Sequence, residues 1–337
     1  MAKVLDSYNE VGVLRPLFNK MKRIGPNPRY WFYRMNWLLV NKFHYITRFP
    51  IHLDIETTNH CNLRCTMCPH SLDTYEMKKG YFDFTLYRNI LGECREHGLR
   101  SLKLNIRGEP LLHRRLVDMV ALAKEMGILE VMFNTNGLLL TPEKTRALVE
   151  AGLDYLIVSI DGATPETYNK IRQGGDFHRL KENLEYFLEY RRERRLAKPL
   201  LRLQFVEMEE NAHEVPRYLA MWQDRVDVMT VNRYSNRGCG ERQVYDLAPV
   251  DRANCPHPWR RLSINWRGEA HMCCGDWQDL CILGEVDKMS LYDIWHSAQF
   301  NHYRQKLLKR RLEEIPCCKD CFVLASYVWG KKAQAGQ

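Results

Sequence analysis

At 337 residues with 45% hydrophobic content, the chain can hold one α/β domain of ordinary size plus a small appendage, and it is too apolar for intrinsic disorder. No run of about 18 uncharged apolar residues occurs, because the most apolar early stretch, Met35 to Val40, lies between Arg34 and Lys42; no apolar segment leads to a small-residue cleavage site either, so neither a membrane span nor secretion is expected. The net charge of +9 is concentrated in residues 1–50, where nine Lys or Arg face only Asp6 and Glu10, and twelve cysteines in a chain expected in a reducing cytoplasm point to metal binding or catalysis instead of disulfides.

Residues 1–50 read as a basic aromatic extension, with Arg29-Tyr30-Trp31-Phe32-Tyr33-Arg34 and Trp37 interleaving rings and cations. Such a pattern suits stacked bases, or contact with a membrane surface. More often it is a lid whose rings pack on the domain while Lys and Arg stay solvated. Nucleic acid is accordingly not the expected partner.

From residue 51 short β-rich runs alternate with helical patterns, the mark of repeated βα units around a parallel sheet. Six strands are predicted: Ile51 to Glu56, Ser101 to Ile106, Leu129 to Asn134, Asp154 to Ile160, Leu200 to Met208 and Val226 to Arg233. Among the intervening helices, Arg179 to Arg195 repeats Leu180, Leu184, Phe187 and Leu188 on one face. Six βα units fall short of a closed barrel of eight. The expected fold is α/β, a partial (β/α)6 TIM-like barrel over 51–245 with its site at the C-terminal strand ends, followed by a small C-terminal domain over 246–330 dense in Cys, Trp and Gly.

The strongest chemical signal follows the first strand. Cys61, Cys65 and Cys68 lie within Thr58-Asn59-His60-Cys61-Asn62-Leu63-Arg64-Cys65-Thr66-Met67-Cys68-Pro69. Three thiolates on one loop can hold three irons of a [4Fe-4S] cluster, and the lack of a fourth nearby cysteine leaves one iron open. Zinc is the alternative, but a three-cysteine loop behind a barrel strand is poor zinc-knuckle architecture.

The CxxxCxxC spacing after strand one resembles the radical S-adenosylmethionine (SAM) superfamily. The resemblance implies that the open iron binds the amino and carboxylate groups of SAM, whose reductive cleavage yields a 5′-deoxyadenosyl radical that abstracts a substrate hydrogen. Weaker motifs at later strand ends extend it. Arg107-Gly108-Glu109-Pro110 is similar to the family's Gly-Gly-Glu-Pro, with Arg107 in place of the first glycine, and implies that Gly108 and Glu109 orient the SAM amino group. Asn134-Thr135-Asn136-Gly137 and Ser159-Ile160-Asp161-Gly162 also match, which adds Asn136 and gives Ser159 the SAM carboxylate, with Arg172 as its charged partner. Met67 stands where the family packs a bulky residue on adenine. Turns with glycine occur in any βα protein; their order behind the cysteine loop carries the likeness. Glu56, inside strand one, is open to two roles, substrate ligand or ion-pair partner of a neighbouring Lys or Arg.

A second cysteine set begins at Cys255, followed after twelve residues by Gly268, then Cys273, Cys318 and Cys321. This order resembles the SPASM and twitch extensions of radical SAM proteins, which implies one auxiliary [4Fe-4S] cluster; a zinc ribbon is the alternative. The adjacent pairs Cys273-Cys274 and Cys317-Cys318 leave the ligand choice open, with spacing favouring Cys273 and Cys318. If the auxiliary cluster takes an electron and a base takes a proton, the outcome is two-electron oxidation. Sulfatase-maturating relatives place an aspartate directly after this cluster cysteine; here Cys274 stands there, and Asp276 is the nearest carboxylate. If instead a thiol returns a hydrogen atom, the outcome is epimerisation, with Cys274, Cys239 or Cys281 as donor. Cys94 reads as a helix thiol. Expected partners are a small substrate, anionic and of sugar or nucleotide-sugar type, and a flavodoxin or ferredoxin-type electron donor. The rival from another class is a non-catalytic iron-sulfur or zinc module that binds RNA or protein through the basic extension.

Overall fold

The computed structural model describes residues 3–6, 28–71, 77–234, 255–319 and 321. Its strands in chain order are β1 (Lys3–Asp6), β2 (His52–Ile55), β3 (Arg64–Cys65), β4 (Ser101–Lys103), β5 (Glu130–Thr135), β6 (Tyr155–Ser159), β7 (Arg172–Gln173), β8 (Leu200–Glu207), β9 (Val228–Arg233), β10 (Arg261–Ile264), β11 (Glu269–His271) and β12 (Ile282–Glu285). Ten form one sheet in the order β1-β9-β8-β6-β5-β4-β2-β10-β11-β12, while β3 pairs with β7 apart from it. The six strands from β9 to β2 are parallel and are the six the sequence predicts, with ends differing by three residues or fewer. They make the partial barrel.

Alternation along β8 explains how one strand serves two environments. Leu201, Leu203 and Phe205 point to the helices and are fully buried, whereas Arg202 and Gln204 on the other face are half-buried. The helices begin where a side chain can take an orphan backbone N–H. Asp83, Thr141, Thr164 and Asp176 each accept from the amide three residues on, and so start helices Phe84–His97, Pro142–Glu150, Pro165–Ile171 and Phe177–Glu193. The last of these starts two residues before its predicted position because Asp176 caps it. Leu180, Leu184 and Phe187 are buried on its inner face.

Two features depart from a barrel with a detached appendage. The C-terminal domain is continuous with the sheet: β10 pairs in parallel with β2, Arg261 opposite His52 and Ile264 opposite Ile55, and β11 and β12 extend it antiparallel. The N-terminal extension also contributes, through β1 on the far edge beside β9 and through the helix Pro28–Phe43. That helix packs across the N-terminal ends of the strands. Tyr33 Oη donates to Glu130 at 3.2 Å, and the Trp37 ring meets His52 edge-on at 6.0 Å. No helix among the described residues is long and apolar enough to cross a membrane.

Candidate functional site

The loop after β2 is pinned by backbone pairing. Cys65 lies in β3 opposite Arg172 of β7, Thr66 N donates to Ile171 O at 2.9 Å, and Cys68 N donates to Cys65 O at 3.0 Å. Cys65 is buried, and Cys61 and Cys68 are half-buried. Burial pushes the Cys61 thiol up to about 12 and the Cys65 thiol up to about 11, and Cys68 adds to both. Three sulfurs that disfavour one another as thiolates, in a site short of water, fit a metal cluster whose positive irons would offset that cost.

The strand-end motifs gather on this loop. Gly108 has φ of 67°, and a Cβ there would sit 2.4 Å from Thr58 O, so only glycine lets this turn touch the backbone that leads into the cysteines. The next residue uses the closeness: Glu109 N donates to His60 O at 2.7 Å. The Glu109 carboxylate accepts from Leu111 N at 3.1 Å, Thr135 Oγ1 at 2.7 Å and Asn136 N at 2.7 Å. Burial raises it above the ordinary carboxylate value, and these donors oppose the rise. Asn136 Nδ2 in turn donates to Asn62 Oδ1 at 2.8 Å, inside the cysteine loop. Arg172 Nε donates to Asp161 Oδ2 at 2.8 Å, while its Nη1 lies 3.9 Å from Cys65 Sγ. Ser159 ends β6, half-buried, and Met67 sits half-buried in the loop against the core. Gly108, Glu109, Asn136 and Arg172 are thus brought to the cysteine loop by direct contact.

Arg107 has a role that its motif position does not disclose. Its guanidinium is buried and forks onto Glu56, Nε to Oε1 at 2.6 Å and Nη2 to Oε2 at 2.9 Å. Nη1 reaches Asp279 Oδ1 at 2.9 Å and Trp277 O at 3.0 Å in the C-terminal domain. Of the two roles open to Glu56, the ion pair is the one formed. Trp266 N also donates to Glu56 Oε2 at 3.1 Å, so the mouth of the partial barrel and the loop 273–281 are held together through one carboxylate and one guanidinium.

Cys255, Cys273, Cys318 and Cys321 all line one cavity, with Cys317, Met272 and Leu307 completing much of its wall. Burial pushes the Cys255 thiol up to about 12. Burial likewise pulls His257 down to about 4, helped by Arg261, and its neutral ring lies 3.5 Å from Cys273 Sγ. A sulfur-rich donor set with an apolar wall suits an iron-sulfur cluster better than a hydrated ion. Cys274 does not line this cavity: its Sγ accepts from Arg261 Nη1 at 3.4 Å, beside Asp54. Within the Cys273–Cys274 pair, hydrogen bonding from Cys273 lowers Cys274, and Arg261 lowers it further. Cys317 and Cys318 both face the cavity, 3.9 Å apart. The Asp276 carboxylate accepts from Leu280 N at 2.9 Å and Cys281 N at 2.7 Å, which commits both oxygens to the turn that carries it. Cys94 and Cys281 are fully buried, and Cys239 lies outside the described residues.

The face of the sheet turned away from the helices holds residues that motif reading passes over. Tyr155, Ile157 and Leu200 form a small apolar cluster there with Met132 and Val228. On the same face Lys103, Asn134, Ser159, Arg202 and Gln204 are half-buried, with Ser159 opposite Gln204 in register. Asn134 Oδ1 is buried with no hydrogen-bond partner among the described residues. The available signal was alternation: single polar residues at every second position of otherwise aliphatic strands, as in Leu201-Arg202-Leu203-Gln204-Phe205.

Residues 55–197 match the radical SAM superfamily, and residues 255–322 match SPASM, an iron-sulfur cluster-binding domain. The tungsten-containing aldehyde ferredoxin oxidoreductase cofactor-modifying protein of Pyrococcus furiosus is 32% identical over 173 residues, 50% of this chain and 48% of that one. The chain spans about half the length of the curated relatives it matches. Among solved structures, BtrN in complex with AdoMet and 2-DOIA aligns with a TM-score of 0.57 at 20% identity, over 82% of this chain and 94% of that one. Streptococcus suis SuiB bound to precursor peptide SuiA aligns with a TM-score of 0.63 at 17% identity, over 82% and 74%. At these identities the likeness is one of fold.

Proposed function

This chain is a radical SAM protein with a C-terminal SPASM iron-sulfur domain, and on that footing we propose that it oxidises a small polar substrate by two electrons. The observation that carries the reading is the convergence of Cys255, Cys273, Cys318 and Cys321 on one sulfur-lined cavity, a closed site suited to a cluster that exchanges electrons without binding substrate. When bound, the first cluster and SAM supply a carbon-centred radical able to take a hydrogen atom from an unactivated carbon.

The chain's own residues prepare that chemistry. Cys61, Cys65 and Cys68 would hold the first cluster, and Asn136, through Asn62, would keep their loop in one conformation. Glu109, Gly108 and Ser159 would orient SAM, Met67 would pack on its base, and Arg172 would set the charge beside Cys65. Lys103 and Arg202 on the inner face favour an anionic substrate of sugar or nucleotide-sugar size. Epimerisation through Cys274 is the weaker reading, because that thiol is engaged by Arg261 beside Asp54. Asp276, whose oxygens accept from Leu280 N and Cys281 N, would have to leave its turn to act as the base of the oxidation. The reading implies a flavodoxin or ferredoxin-type donor and a reducing, cytoplasmic setting.

Anaerobic reconstitution tests it directly. About eight irons and eight sulfides per chain are expected, falling to about four in Cys255→Ala and Cys273→Ala, with 5′-deoxyadenosine formed from SAM and dithionite by the wild type and by neither Cys61→Ala nor Cys65→Ala. One tightly bound zinc with about four irons would reject the auxiliary cluster. Substrate carbon that gains solvent deuterium without a change in oxidation level would replace oxidation with epimerisation.

A further inference from the structure

The helix Pro28–Phe43 is apolar on two opposite sides. Tyr30, Tyr33 and Val40 are buried against the rest of the protein. The other side carries Phe32, Met35, Leu39 and Phe43, three or four residues apart along a single face, and these are 71%, 45%, 37% and 62% exposed. Tyr45 and Ile46, just beyond the helix, are 38% and 40% exposed. The ridge from Phe32 to Phe43 runs about 16 Å. A helix apolar on two sides calls for cover on both, and among the described residues only one side has it.

Charge selects the occupant. Residues 11–53 contain eight Lys or Arg and no Asp or Glu. Arg29, Lys42 and Arg48 are exposed along this segment, and Lys42 Nζ lies 5.3 Å from the Phe43 ring. A second copy of the same ridge would bring like charges face to face. A convex row one side chain wide offers no pocket for a shape-matched protein anchor. A fluid anionic surface accepts both features, with rings at the headgroup boundary and basic groups on lipid phosphates.

We propose that this helix docks the protein on the surface of an anionic phospholipid membrane, lying flat with Phe32, Met35, Leu39 and Phe43 inserted. Because the helix covers the N-terminal ends of the strands, the cysteine loop at their C-terminal ends stays on the aqueous side. Flotation of the full chain with phosphatidylcholine vesicles, with and without phosphatidylglycerol, tests this. At least a roughly tenfold preference for the anionic vesicles is expected, weakened by salt and cut about tenfold by Phe32→Ser with Phe43→Ser. Both residues are exposed, so circular dichroism and iron content should not change, and Lys42→Glu with Arg48→Glu provides an independent loss of binding. The proposal is overturned by absence of flotation or by wild-type binding of both double variants. It also fails if light scattering finds a dimer that the serine variant dissociates, or if single-stranded RNA displaces the protein from the vesicles.

Discussion

A buried guanidinium persists only where its charge is met, and Arg107 is met on two sides, by Glu56 from the barrel and by Asp279 from the C-terminal domain. Arg107→Ala leaves Glu56 buried without its cation, while Asp279 keeps its pair with Arg267. Equilibrium unfolding should register a loss of about 3–5 kcal/mol, whereas Arg107→Ala combined with Glu56→Gln should recover part of it. A loss below about 1 kcal/mol would mean that water already screens the pair. From the sequence, Arg107 registers as a departure from the glycine of its motif, and nothing local reveals that its partner lies 172 residues away. The cysteines were more legible. Spacing favours Cys273 over Cys274, and Cys273 lines the cavity; of Cys317 and Cys318, the other pair left open, the fold brings both to the wall.

At the level of the element, the turn after β6 is held by a residue from outside any motif. Glu214 is buried and accepts from Ala163 N, Thr164 N and the hydroxyls of Thr164 and Thr167, which caps helix Pro165–Ile171 and fixes the segment from Ser159 to Gly162. Burial pushes its carboxyl upward, but Thr164, Ala163 and Thr167 outweigh burial and hold it below the usual value. A depressed carboxyl contributes stability that is present above the unfolded value, near about 4.3, and is lost as pH falls through the folded one. Glu214→Gln should therefore cost about 1–3 kcal/mol at neutral pH, with the gap to wild type closing in acid. A gap that stays constant down to low pH would show that shape, not charge, supplies the stabilisation. Strand positions were readable because aliphatic runs bounded by Gly and Pro are strong signals; Glu214 was not, because side-chain caps reached from a distant loop leave no periodic trace.

For the molecule as a whole, the small C-terminal domain shares its hydrogen bonds with the barrel through β10 and β2. Removing the auxiliary cluster with Cys255→Ala and Cys273→Ala should then loosen only the segments nearest the cavity. Hydrogen exchange is expected to rise around 255–260 and 312–319 while the amides of β10 stay protected, and a general loss of protection across 261–285 would refute this. Composition and alternation mark a change of pattern near residue 245, but the sharing of one sheet depends on pairing between segments some 200 residues apart, which single-strand patterns do not encode.

The place of β10 has a consequence during synthesis. While the ribosome is still adding the last third of the chain, β2 stands at the border of an unfinished sheet with a row of open amides and carbonyls, ready to pair with any passing strand. A product terminated near residue 245 would keep that border permanently and should precipitate on expression, so slow or interrupted translation is the hazard this topology carries, and chaperone supply its natural remedy.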